Sequence, residues 1–136
     1  MMPATSILLV EDSFADVYLI QRAVADYGRD LQLWTMPDGP EALTFLRKDY
    51  PLPHVPTPIL ILLDLRLPKM SGLQLLSEIR QLPAYETTPI VILSRLDKEQ
   101  EEPPCLQLGA NAYVQKSSNF YVFFNSIQAL VRHWLN

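Results

Sequence analysis

Three short apolar runs recur along the chain: Ile7-Leu8-Leu9-Val10, Ile59-Leu60-Ile61-Leu62-Leu63 and Ile90-Val91-Ile92-Leu93. Each is followed at once by a polar residue, Glu11, Asp64 or Ser94. Continuous hydrophobicity in so short a run predicts strands covered on both faces, as in a parallel sheet. Two weaker strand candidates are Leu31–Met36, which alternates, and Ala112–Gln115. Between the runs the apolar spacing becomes helical. Phe14, Val17, Tyr18, Val24 and Tyr27 predict the core stripe of a first helix, with Ser13 and Asp16 at capping-box spacing and Gly28 placed to stop it. Pro40 suits the first turn of a second helix carrying Ala42, Leu43, Phe45 and Leu46. Leu73, Leu75, Leu76 and Ile79 predict a third over 72–81, and a last helix spans 119–134. The stretch from Ser94 to Gly109 is interrupted by Pro103-Pro104. A residue before proline avoids the α region, so this pair predicts a short helix beginning near Pro104.

Five strand–helix units in alternation predict an α/β fold. It is a doubly wound five-stranded parallel sheet, order 2-1-3-4-5, flanked by five helices with right-handed crossovers. The 136 residues suit one domain. Composition adds one oddity, 12 prolines against 4 glycines. Pro51, Pro53, Pro56 and Pro58 stiffen a loop before the third strand, and no proline falls inside a predicted strand core. A lone Cys105 leaves no internal disulfide and fits a reducing compartment. No basic leader precedes the first apolar run, and none of the runs approaches the ~20 residues that span a bilayer. A cytoplasmic protein is expected, with no membrane partner. A net charge of −4 and no basic stripe argue against nucleic-acid binding.

Ligands of open α/β sheets bind beyond the carboxyl ends of the strands. The strand assignment therefore brings Glu11, Asp12 and Asp64 to one sheet edge, together with Ser94 and Lys116. Carboxylates so placed repel one another unless a cation sits among them, and hard oxygen ligands suit Mg²⁺. A carboxylate beside a divalent cation and a lysine is a plausible nucleophile toward phosphorus. The cation and the ammonium would neutralise the phosphoryl oxygens, and the Ser94 hydroxyl could donate to one of them.

These residues resemble the signature of response-regulator receiver domains: an acidic pair after strand one, Asp after strand three, Ser or Thr after strand four, Lys after strand five. The surrounding words match as well: Leu9-Val10-Glu11-Asp12-Ser13, Leu63-Asp64-Leu65-Arg66-Leu67-Pro68-Lys69-Met70-Ser71-Gly72 and Gly109-Ala110-Asn111-Ala112-Tyr113. The resemblance covers nearly the whole chain. It implies a single receiver domain over 1–136 with no output domain, acting as a signalling protein rather than an enzyme with a separate substrate. Asp64 would accept a phosphoryl group from a sensor histidine kinase. Mg²⁺ (or Mn²⁺) would be held by Asp12, Asp64 and the Arg66 backbone carbonyl, with Glu11 acting through water. Lys116 would pair with the phosphoryl oxygens, while Ser94 and Tyr113 would form the switch. Asp12-Ser13-Phe14-Ala15-Asp16, the proline-containing insertion and Lys116-Ser117-Ser118-Asn119 further resemble stand-alone regulators paired with bacterial phytochromes. Those tend to form homodimers through helix four, strand five and helix five.

The last helix supports a dimer independently. Phe120, Phe123, Ile127, Leu130 and Trp134 make one stripe; Tyr121, Phe124, Val131 and Leu135 make a neighbouring one. A surface helix needs one stripe for the core, so Tyr121, Phe124 and Val131 are expected on an exposed interface. Three departures from the family pattern stand out. Arg66 and Arg95 add bulk and charge at the phosphoryl pocket, which predicts slow autodephosphorylation and leaves room for a pseudo-receiver that docks partners without phosphorylation. Ser117 replaces the proline that usually follows the lysine, leaving the isomer of that bond open. A phosphatase of the haloacid-dehalogenase type is disfavoured, because Arg66 stands where its general acid should be.

Overall fold

The computed structural model describes residues 5–27, 30–48 and 57–135. Gly28 and the loop prolines Pro51, Pro53 and Pro56 lie outside the described residues. The elements run β1 (Thr5–Val10), α1 (Phe14–Ala25), β2 (Leu31–Met36), α2 (Gly39–Leu46), β3 (Leu60–Asp64), α3 (Gly72–Arg80), β4 (Ile90–Ser94), α4 (Lys98–Gln107), β5 (Ala112–Gln115) and α5 (Phe120–Leu135), with a 3₁₀ turn at Pro83–Tyr85. All strand pairs are parallel and the order is β2-β1-β3-β4-β5, as expected.

The continuous apolar runs have the predicted cause. Alternate residues of β1, β3 and β4 face opposite layers, and both layers are covered. Leu8, Val10, Ile61, Leu63, Ile90 and Ile92 pack with α2 and α3. Ile7, Leu9, Leu60, Leu62, Val91 and Leu93 pack with α1 and α5. Ile59 is the exception, lying outside β3 and half exposed. Caps match local chemistry: the side chains of Ser13, Asp38 and Ser71 accept from Asp16 N, Glu41 N and Gln74 N.

Two helices depart from expectation. In α1 the buried face is Leu19, Ile20, Ala23 and Val24, whereas Phe14 and Tyr18 are 89% and 54% exposed. The helical spacing of Phe14 and Tyr18 with Val17 predicts a shared core stripe, but the face that α1 buries is centred instead on Ile20 and Ala23. Helix α4 begins at Lys98, not near Pro104, and carries both prolines inside it. The pre-proline preference is a bias and not a prohibition. Anchors elsewhere override it: Lys98 N donates to Gln115 Oε1 at 3.1 Å, Glu101 N to Asp97 O at 2.9 Å, and Cys105 is fully buried.

Arg80 staples the opposite end of the sheet. Its guanidinium donates to the backbone carbonyls of Tyr85 and Thr88 at 2.7 Å, to Gly109 O at 2.8 and 2.9 Å, and to Asn111 Oδ1 at 2.9 Å. Gly109 needs its glycine, since its φ is 106°. Arg80→Ala strips a charged donor from several part-buried acceptors at once. It is expected to cost about 3 kcal/mol in urea unfolding, with Arg80→Lys recovering little, because an ammonium lacks the planar fork.

Candidate functional site

The carboxyl ends of β1, β3, β4 and β5 surround a cleft of about 550 Å³. Glu11, Asp12, Asp64, Ser94 and Lys116 all line it, so one site gathers every residue expected at the sheet edge. Backbone geometry puts them there. Lys116 N donates to Ser94 O at 2.7 Å and Glu11 N to Met36 O at 3.0 Å, which extends the ladder past the strand ends. Gly72 lets α3 start hard against β3: a Cβ there would lie 2.4 Å from the Asp64 carbonyl oxygen. The glycine thereby fixes the turn that presents the Asp64 side chain.

Lys116 is the hub. Its buried Nζ donates to Glu11 Oε2 at 2.5 Å, Asp16 Oδ2 at 2.9 Å and Asp64 Oδ2 at 3.1 Å. Burial alone would lower its pKa, but the hydrogen bonds and charges of these carboxylates outweigh it and raise the value above the usual lysine range. The ammonium is therefore charged at neutral pH. Burial pushes the Glu11 carboxyl up to about 7, against the pull of Lys116. The other Glu11 oxygen accepts from Ser13 N at 3.1 Å, which is the return bond that the capping-box spacing had assigned to Asp16.

A carboxyl whose folded pKa is raised stabilises fully below its ordinary value of 4.5, and that contribution is lost as pH rises through about 7. In chelator, the wild-type melting temperature is therefore expected to fall between pH 5 and 8 by about 5 °C more than that of Glu11→Gln. Differential scanning calorimetry at several pH values checks it.

A divalent cation fits this set. One oxygen from each of Glu11, Asp12 and Asp64 lies within 4.8 Å of the others, and Asp12 is the exposed member. This is hard oxygen chemistry of the kind that holds Mg²⁺ or Mn²⁺. Arg66 N donates to Asp64 Oδ1 at 3.2 Å, which orients the carboxylate from the β3–α3 turn.

Ser94 is buried, and its Oγ accepts from Leu96 N at 3.1 Å. Tyr113 is buried as well, with its hydroxyl donating to Leu96 O at 2.8 Å. Serine and tyrosine thus grip the same loop residue from its two polar ends. Among the described residues every peptide bond is trans, Lys116–Ser117 included.

Two sequence readings need correction. Val131 is fully buried in the α1–α5 layer and cannot belong to an interface. Phe124 is half-buried, and only Tyr121, 75% exposed, stands free. Helix α5 therefore spends most of both stripes on the core, and its exposed apolar residues cluster at its start, at Phe120, Tyr121 and Val122. The second correction is an omission. Asp16 lines the cleft, is only 6% exposed, and bonds both Lys116 and Arg95. A signal existed: extending the true core stripe of α1, Leu19, Ile20, Ala23 and Val24, one turn toward the N-terminus lands on Asp16. A carboxylate on a core stripe demands a partner.

Comparison with known proteins agrees with this geometry. The model of the response regulator receiver domain matches residues 7–128. Response regulator Rcp1 of Synechocystis sp. is 38% identical over 133 residues, covering 98% of this chain and 90% of the relative. The crystal structure of the phosphorylated cyanobacterial phytochrome response regulator RcpA superposes with a TM-score of 0.92 at 36% identity, covering 98% of this chain and 96% of that one. The Mn²⁺-bound form of Rcp1 gives 0.89 at 37% identity, covering 97% and 95%. Fold, acidic cleft and these likenesses converge: the chain belongs to the response regulator receiver domain family.

Proposed function

We propose that the protein is a single-domain response regulator that accepts a phosphoryl group on Asp64 from a phosphohistidine of a sensor histidine kinase, a bacterial phytochrome. The observation that carries this reading is the direct bond from buried Lys116 Nζ to Asp64 Oδ2, 3.1 Å long, at the open carboxyl edge of the sheet. An Asp64 carboxylate oxygen attacks phosphorus as the phosphorus–nitrogen bond breaks, and the electron pair of that broken bond stays on the imidazole nitrogen. Asp12 and Asp64, with the Arg66 carbonyl, would hold Mg²⁺ or Mn²⁺, and Glu11 would act through water. When bound, the cation neutralises charge on the phosphoryl oxygens. Lys116 then exchanges a carboxylate for a phosphoryl oxygen. Ser94 donates to another oxygen, and Tyr113 follows the shared loop.

The relatives named for phytochromes support the choice of kinase. A phosphorelay of this kind operates in the cytoplasm. Among the described residues no helix is long and apolar enough to cross a membrane. A homodimer would use α4, β5 and α5, where Leu106, Leu108 and Tyr121 are exposed. Glu99, Glu101 and Glu102 on α4 and Arg132 on α5 offer opposite charges there.

The test is intact-mass measurement after incubation with acetyl phosphate. A gain of ~80 Da, one phosphoryl group, is expected with Mg²⁺ and not with chelator. No gain under either condition would remove the proposal.

A further inference from the structure

We propose that Asp16 is a positioning residue that pins Arg95 across the cleft, so that the Arg95–Asp16 pair restricts water reaching phosphorylated Asp64 and lengthens the life of the phosphoryl group. The inference rests on the phosphoacceptor reading of Asp64. Asp16 Oδ1 accepts from an Arg95 guanidinium nitrogen at 2.8 Å, while Oδ2 accepts from Lys116 Nζ at 2.9 Å. One carboxylate on α1 therefore joins the central ammonium to the loop that follows β4. Asp16 is 6% exposed, and helix packing immobilises it. The Arg95 side chain is 55% exposed yet still lines the cleft, so it stands at the boundary between the site and solvent. A free surface arginine would sweep many rotamers. This one is tethered to a buried anchor.

Hydrolysis requires a water oxygen to form a bond to phosphorus opposite the aspartyl oxygen. The bond from Asp64 to phosphorus breaks, its electron pair returns to the carboxylate, and inorganic phosphate leaves, the protons of the water passing to phosphate and solvent. That water must come from the open side of the cleft, where Arg95 is held. Asp16 touches no reacting atom in this scheme and acts through Arg95 and Lys116. A purely structural role for the pair, clamping α1 to the loop after β4, makes a different prediction, because it would lower the melting temperature without shortening the phosphoryl lifetime.

Wild type and variants are phosphorylated with acetyl phosphate and Mg²⁺ and freed of donor. The mass adduct is then followed in time. Arg95→Gln is expected to shorten the half-life about 5-fold, the rate equivalent of one partly exposed ion pair. Asp16→Asn should shorten it at least as much, because it also weakens the bond to Lys116 Nζ, and the double variant should be no faster than the faster single one, since both changes break the same Arg95–Asp16 pair. Arg95→Lys should recover part of the lifetime. An unchanged half-life in Arg95→Gln overturns the inference, as do single effects that multiply in the double variant. Arg95→Gln carries the test by itself if Asp16→Asn does not fold, because its side chain is largely in solvent. A wild type that takes up no adduct sinks the phosphoacceptor reading instead, and is seen before any lifetime is measured.

Discussion

Asp64→Asn is expected to abolish the acetyl phosphate adduct while leaving the fold intact. The amide matches the carboxylate in shape, but its neutral oxygen is a far weaker nucleophile. Among the described residues no neighbouring carboxylate is placed to substitute. Glu11 is buried and bonded to both Lys116 and Ser13 N; Asp16 is engaged by Lys116 and Arg95. Asp12 is exposed but does not bond Lys116. Folding should survive because Asp64 has the longest of the three Lys116 contacts, 3.1 Å. Its neutralisation also relieves repulsion within the acidic cluster. Circular dichroism and intact mass on the same sample check both halves, and a full adduct on a folded Asp64→Asn chain would refute the assignment.

Lys116→Ala should be nearly as damaging, and for two separable reasons. Phosphoryl uptake should slow by about 10²–10³-fold, since a preorganised donor to developing charge disappears from a partly closed site. Stability should also change. Removing the cation leaves Glu11, Asp16 and Asp64 facing one another, and breaking a buried pair from one side typically costs about 3–5 kcal/mol. Glu11 provides an escape. Its carboxyl is already pushed up to about 7, so without the ammonium it protonates more readily and part of the repulsion vanishes. The variant should therefore be rescued by low pH, and also by Mg²⁺, which replaces the missing positive charge. Urea unfolding at pH 5.5 and 8, with and without Mg²⁺, measures this. Equal destabilisation under all four conditions would contradict the charge argument.

These expectations depend on features that differ in how openly the chain displays them. The buried strands are plain because β1, β3 and β4 are covered on both faces, which leaves unbroken runs such as Leu60 to Leu63. From those runs the polar residues at the sheet edge follow by topology alone. Helix α1 displays its core face less openly. Phe14 and Tyr18 are large and apolar yet face solvent, and they drew the stripe away from Leu19 and Ile20. The same misplacement hid Asp16, whose ionic partners lie 79 and 100 residues further along. Local pattern carries no information about such pairings. Helix α4 shows a tertiary override, in which Gln115 and the burial of Cys105 hold a turn that two prolines disfavour. Val131 shows the limit of helical stripes: both stripes of α5 were visible, but which residues meet α1 was not.

The central claim is that phosphorus becomes attached to Asp64 and to no other carboxylate of the cluster. Borohydride reduces an aspartyl phosphate to homoserine, so reduction of the phosphorylated protein followed by peptide mass mapping locates the acyl phosphate. Homoserine at position 64 alone is the predicted result. Reduction at Asp12 or Asp16, or of Glu11 to its corresponding alcohol, with Asp64 unmodified would contradict it.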